Sequence, residues 1–68
     1  MKRDYSELRK KIRSIYLRLE DFAKDMNITS GTLSLKLSGK SEWSRAEIEK
    51  AADLLDLTPD EILIYFFD

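Results

Sequence analysis

Residues 19–39 read LEDFAKDMNITSGTLSLKLSG, and this stretch decides the fold that the sequence predicts. Apolar residues recur at helical spacing on both sides of Asn27, a residue type that tolerates the left-handed backbone at the end of a helix. Thr29 can then cap the next helix by accepting a hydrogen bond from one of its free N–H groups. We therefore expect two short helices, at about 19–26 and 30–38, joined by a tight turn. This is the arrangement of a helix-turn-helix motif, in which the second helix is presented to a partner.

The second helix of this motif has two distinct faces. Leu33 and Leu37 are four residues apart, so they share one face and are expected to dock inward. Gly39 follows them and is expected to end the helix. The opposite face is small and polar with a single large apolar residue, and it consists of Ser30, Gly31, Ser34, Leu35 and Ser38. An apolar side chain on an outward face favours an interface over a plain solvent-exposed surface.

Three further helices are predicted, each from a capping pattern followed by apolar residues at helical spacing. The capping pairs are Asp4 with Glu7, Ser44 with Glu47, and Thr58 with Glu61, and Pro59 follows Thr58 at the first helical position. The first helix is expected at about 5–16 and the fifth at about 59–65. The predicted fold is therefore all-α, with five helices in a single domain over residues 1–68. Its expected core is Leu8, Ile12, Ile15, Leu19, Phe22, Ala23, Met26, Ile28, Leu33, Leu37, Ile48, Ala52, Leu55, Leu57 and Ile62.

Length and composition restrict the class of protein. A chain of 68 residues makes one small domain, and two glycines and one proline are too few for a loop-rich or all-β fold. The chain contains no cysteine and no histidine, which argues against disulfides, thiolate or zinc sites and the commonest general base. We therefore expect no cofactor, no metal, no small-molecule substrate and no enzymatic activity. No apolar run approaches the roughly 20 residues of a membrane span, so a cytoplasmic protein without membrane contact is expected.

The formal net charge of −1 conceals a strong asymmetry along the chain. Residues 1–18 contain seven Lys and Arg against two acidic residues, which gives this segment a charge of +5. Residues 41–68 contain two basic residues against eight acidic ones, which gives a charge of −6. The basic face of the first helix is a candidate surface for a DNA backbone or an acidic partner, and the alternative is an ordinary solvated face.

Several motifs resemble a known family. They are the turn sequence MNIT at 26–29, the sequence TLSLKLSGK at 32–40 and the closing EILIYFF at 61–67. Together with the five-helix plan, they resemble small Cro-type regulators of the lambda-repressor-like family, most of all the short Cro-like proteins of phages that infect Gram-positive bacteria. The resemblance covers nearly the whole chain. It implies a compact helical DNA-binding domain, operator binding as a dimer, and a role in the choice between lytic and lysogenic growth inside the bacterial host. One relative of this type acts instead as a modulator that complexes with the lysogeny repressor of its own phage.

The chain departs from the family in two places. Many relatives begin the second helix with a glutamine that bonds a phosphate, and here that position is Leu19. Many relatives also carry a long polar or basic residue early in the third helix, which here opens with Ser30, Gly31 and Thr32. Both departures lower the sequence specificity expected of a direct contact with DNA.

The candidate binding residues lie on and around the third helix. In a complex with DNA, Ser30 and Ser34 can exchange hydrogen bonds with base edges and Leu35 can cover a thymine methyl group. Lys36 and Lys40 can contact phosphates, although isolated lysines are often ordinary solvated charges. The predicted DNA-binding or partner-binding set is Thr29, Ser30, Gly31, Thr32, Ser34, Leu35, Lys36, Ser38 and Lys40.

Two functions remain open at this stage. The leading interpretation is a Cro-like transcriptional regulator whose third helix enters the major groove of double-stranded operator DNA. The alternative is an antirepressor or modulator that binds the DNA-binding domain of the phage repressor and blocks it. The sequence pI of about 5.4, below the roughly 9 of a dedicated DNA-binding domain, favours the alternative.

The aromatic residues outside the motif are interpreted mainly as packing residues. Trp43 is expected to cover one end of the core. In the C-terminal segment, Phe66 is expected to pack, and an exposed Tyr65 or Phe67 would mark a surface for a homodimer.

Overall fold

A computed structural model describes residues 5–67, which form helices and connecting turns without a strand. The helices are α1 (Ser6–Ile15), α2 (Leu19–Met26), α3 (Ser30–Leu37), α4 (Arg45–Leu54) and α5 (Pro59–Ile62), and a π-helical turn (Leu63–Phe67) continues α5. The prediction of an all-α fold with five helices is confirmed. Within residues 5–67, none of the helices is long and apolar enough to cross a membrane.

Side chains fix the starts of three helices, as their sequences predict. The Thr29 hydroxyl accepts a hydrogen bond from the Thr32 N–H at 3.1 Å and caps α3. Capping boxes open α4 and α5, and the pairs are Ser44 with Glu47 and Thr58 with Glu61. Each box satisfies two N–H groups that would otherwise lack partners at a helix start. The predicted capping residue Asp4 lies outside the described residues.

One apolar core joins four of the helices to the C-terminal turn. It consists of Leu8, Ile12, Phe22, Ala23, Met26, Leu33, Leu37, Ala51, Leu55 and Phe66. Five further predicted core residues are partly buried and pack against it, namely Leu19, Ile28, Ile48, Leu57 and Ile62. The prediction for Ile15 is wrong, because this side chain is 49% exposed. Ile15 is the last residue of α1, where the chain turns away, and the following Leu17 is 94% exposed.

The C-terminal segment differs from the single short helix expected at about 59–65. The backbone changes from α to π geometry at Leu63, and this wider turn continues to Phe67. Phe66 is buried and meets the Trp43 ring edge-to-face at 5.1 Å between centroids. Trp43 also lies 6.3 Å from the Tyr5 ring, so it covers one end of the core as predicted. Phe67 remains exposed.

Candidate partner-binding surface

A left-handed residue sets the angle between α2 and α3. Asn27 has a φ of 63°, and its N–H donates back to the last carbonyls of α2. The next N–H, of Ile28, donates to the Ala23 carbonyl at 3.0 Å. Ala23 is itself buried, and its small side chain lets α3 pass close to α2. The turn is therefore fixed by backbone hydrogen bonds as well as by packing.

The two faces of α3 match the sequence prediction except at Ser38, which is predicted on the outward face and is half-buried. Leu33 and Leu37 are 1% and 2% exposed, so they anchor the helix in the core. Ser30, Gly31 and Ser34 are exposed, and Leu35 is 48% exposed among them. We call these four residues the α3 face. It presents small side chains and one apolar side chain to the outside.

The hydroxyl groups beside the α3 face already have hydrogen-bond partners in the protein. Thr29 caps α3, and its hydroxyl also donates to the Thr32 hydroxyl at 2.9 Å. The Ser38 hydroxyl donates to the Leu35 carbonyl at 3.0 Å. Thr32 and Ser38 are half-buried, whereas Lys40 is exposed just after the helix. The α3 face is thus bordered by Thr29, Thr32, Ser38 and Lys40. Of these four residues, only Lys40 is charged.

Lys36 does not occupy the exposed position that was predicted for a phosphate contact. The residue is 6% exposed, and its Nζ donates to the Glu47 carboxylate at 2.8 Å and to the Glu42 carbonyl at 2.9 Å. Its ammonium group also lies 5.8 Å from the centroid of the Trp43 ring, a cation–π distance. The helical position of Lys36 points its long side chain beneath the helix toward α4. The prediction that Lys36 is available to a partner is therefore wrong.

Glu47 is the ion-pair partner of Lys36, a pairing that the sequence does not predict. Its carboxylate accepts from Lys36 and also from the Ser44 N–H at 2.8 Å in the capping box. Burial by itself raises the pKa of Glu47, but the hydrogen bonds from Lys36 and Ser44 outweigh it and lower the pKa below the ordinary value. The capping pattern revealed only the local role of Glu47. Its pairing with a lysine eleven residues earlier leaves no local signal in the sequence.

A polar depression lies beside the start of α3. Its volume is about 380 Å³, and it is lined by Glu20, Asp21, Lys24, Ile28 and Ser30. Glu20 and Asp21 are exposed in the first turn of α2, and Glu20 forms an ion pair with Arg18 at 3.0 Å. Carboxylates at this helix start interact favourably with the helix dipole. With Lys24 in the same lining, the depression holds two acidic side chains and one basic side chain next to the α3 face.

Comparisons with known proteins agree with a phage regulator. The chain is similar over its whole length to a protein whose solution structure is known, the modulator of repression (MOR) of the temperate bacteriophage TP901-1 from Lactococcus lactis. The two are 41% identical with a TM-score of 0.83, and the match covers 100% of this chain and 92% of that one. No curated protein matches the chain.

These findings support the broader resemblance to small phage regulators, and the similar solved structure is that of a modulator of repression. A family model with the description "Protein of unknown function (DUF739)" also matches, and it spans residues 1–68. Because this match includes every residue, the chain belongs to the DUF739 family.

Proposed function

We propose that this chain is a phage modulator of repression. It binds the DNA-binding domain of the phage lysogeny repressor through the α3 face and keeps that repressor from its operator. The observation that carries the proposal is the burial of Lys36, which is the single cation of α3 and is paired with Glu47. The α3 face thus lacks the long basic or amide side chains that read base edges. The 41% identity to a modulator of repression supports the same function.

The charge around the α3 face also fits a protein partner better than DNA. In a helix-turn-helix bound to DNA, the first helix of the motif crosses the phosphate backbone. Here the first turn of α2 carries two carboxylates, of which Glu20 is paired with Arg18 and Asp21 would repel a phosphate, and the one cation of the helix, Lys24, lies in its last turn. The same carboxylates attract the basic side chains with which a repressor contacts DNA.

The α3 face has the chemistry of a small protein interface. Gly31, Ser30 and Ser34 are small, so the backbone of a partner can approach them closely. The hydroxyl groups of the two serines can donate and accept hydrogen bonds. A β-carbon at Gly31 would meet nothing nearer than the Thr29 Oγ1 at 4.0 Å, so the fold itself does not require glycine there. Leu35, which is 48% exposed, supplies the large apolar side chain of this face.

A gel-shift experiment separates the modulator from the Cro-like regulator. The labelled promoter region of the phage is incubated with this chain alone, with the cognate repressor alone, and with both, at low and moderate salt. We expect no specific shift by the chain alone and loss of the repressor–DNA complex when both are present. A specific shift by the chain alone at moderate salt would contradict the proposal and support a Cro-like regulator.

Leu35→Ala tests the α3 face with a matched control. Removing the apolar contact should weaken the complex with the repressor by about tenfold, which corresponds to about 1.4 kcal/mol. Ile15→Ala is the control, because Ile15 lies on α1 and its exposed fraction of 49% matches the 48% of Leu35. Both variants should keep the helical circular-dichroism spectrum. Equal repressor binding by the two variants would exclude the α3 face as the contact surface.

A further inference from the structure

An apolar groove lies between the start of α4 and the C-terminal turn. Its volume is about 480 Å³, and it is lined by Trp43, Arg45, Ile48, Glu49, Ile62 and Phe67. Next to it, a second depression of about 550 Å³ is lined by Asp60, Leu63, Ile64 and Phe67. Phe67 borders both, so the two form one continuous surface, which we call the C-terminal groove. It shares no residue with the α3 face.

Large apolar side chains stand exposed along this groove. Leu63, Ile64 and Phe67 are 57%, 55% and 62% exposed, although they lie within one five-residue turn. A domain this small depends on apolar burial for its stability, so three such side chains left in water are a cost to folding. Contiguous exposed apolar patches of this kind mark interaction sites.

The charge around the C-terminal groove is negative. Residues 41–67 contain seven acidic residues against Arg45 and Lys50. Arg45 forms an exposed ion pair with Glu49 at 3.3 Å, which offsets its charge beside the groove. Asp60 lines the groove itself, and Glu61 follows it on α5. A nucleic acid or an anionic membrane would bring further negative charge to this surface, and a second copy in a symmetric contact would set the same acidic groove against itself.

We propose that the C-terminal groove binds a basic amphipathic helix of a protein partner. Apolar side chains of that helix, spaced three and four residues apart, enter the groove between Trp43, Ile48, Ile62 and Phe67. Its Lys and Arg side chains face Asp60 at the edge of the groove. This contact is separate from the one in the proposed function, which uses the α3 face. The α3 face has one large apolar side chain, whereas the groove has an apolar pocket of the kind on which strong interfaces depend.

The single tryptophan of the chain reports directly on occupancy, because Trp43 lines the groove. The probe is a synthetic helix of about 18 residues with a leucine stripe at helical spacing and lysine elsewhere. We expect it to change the Trp43 emission saturably and to shift the backbone NMR signals of Ile48, Ile62 and Phe67. A peptide with glutamate in place of lysine, and a scrambled leucine–lysine peptide without a stripe, should bind at least about tenfold more weakly, a difference of about 1.4 kcal/mol.

Two variants of the full chain complete the test. Phe67→Asp changes an exposed residue of the groove and should abolish the response without loss of helical circular dichroism. Leu17→Asp adds the same charge at a 94% exposed position between α1 and α2 and should bind like wild type. The proposal is overturned if the three peptides bind equally or none binds, or if the peptide shifts the signals of α3 instead. Groove signals that shift with protein concentration, without peptide, would also overturn it, since the occupant would then be a second copy.

Discussion

The ammonium group of Lys36 has two acceptors inside the protein, the Glu47 carboxylate and the Glu42 carbonyl. A lysine this far from water is tolerated only when its charge is paired and its N–H groups are hydrogen-bonded. Both acceptors belong to the start of α4 or to the loop before it, so Lys36 ties α3 to that part of the chain. The Lys36 side chain is therefore too buried to contact a partner, and instead it holds the α3 face in its orientation.

We expect Lys36→Ala to lower the free energy of unfolding by about 1–3 kcal/mol. The range lies below that for a fully buried pair because the Glu47 side chain is 26% exposed and partly keeps its hydration. Urea denaturation followed by circular dichroism measures the change. Lys40→Ala is the control, since this exposed lysine should contribute less than about 0.5 kcal/mol. Equal losses in the two variants would mean that the Lys36 ion pair adds nothing to stability.

The carboxylate of Glu47 predicts how stability depends on pH. Its pKa in the folded protein is lowered from the ordinary value of 4.5, so the charged form stabilises the fold at neutral pH. That contribution is lost as the pH falls from about 4.5 through the lowered pKa of the folded state. The urea concentration at the unfolding midpoint, measured from pH 7 to pH 3, should therefore decrease once the pH drops below about 4.5. This decrease should be smaller in Glu47→Gln. Leu35→Ala, which removes no titrating group, should keep the wild-type slope.

At the scale of elements, the turn between α2 and α3 depends on one backbone conformation. Asn27 has a φ of 63°, in the region where a β-carbon crowds the following carbonyl oxygen. Asn27→Ala should therefore lower the free energy of unfolding by about 1 kcal/mol, whereas Asn27→Gly should change it little or raise it. Thermal unfolding of the two variants gives the comparison. A glycine variant less stable than the alanine variant would show that the Asn27 side chain, rather than its backbone, stabilises the turn.

The elements that the sequence predicts well are those specified by neighbouring residues. Thr29, Ser44 and Thr58 each cap the helix that follows them, and these contacts span only three residues. The placement of Lys36 and Ile15 depended instead on which other helix lies nearby. Helical spacing puts Ile15 on the inner side of α1, but the helix ends there and leaves it exposed. The C-terminal groove is predictable only in part, because the sequence marks Phe67 as a candidate surface residue but does not show that the distant Trp43 lines the same groove.

At the scale of the whole molecule, one core has to hold both proposed surfaces. The buried cluster runs from Leu8 in α1 to Phe66 in the C-terminal turn, so the first helix and the C-terminal turn are both packed into it. A domain of this length has a total stability of only about 3–10 kcal/mol. Loss of either element therefore removes a large part of that stability, and neither surface is expected to survive alone.

This shared core predicts that the chain unfolds as one unit. Circular dichroism follows all the helices, whereas the emission of the single Trp43 follows the contact of the C-terminal turn through Phe66. We expect the two signals to give the same urea midpoint, as in two-state unfolding. Phe66→Leu should lower both midpoints together, by about 1 kcal/mol in the free energy of unfolding, because the smaller side chain packs less well against Trp43. An earlier transition in the Trp43 signal would contradict a single unit, because it would mean that the C-terminal turn leaves the core before the helices unfold.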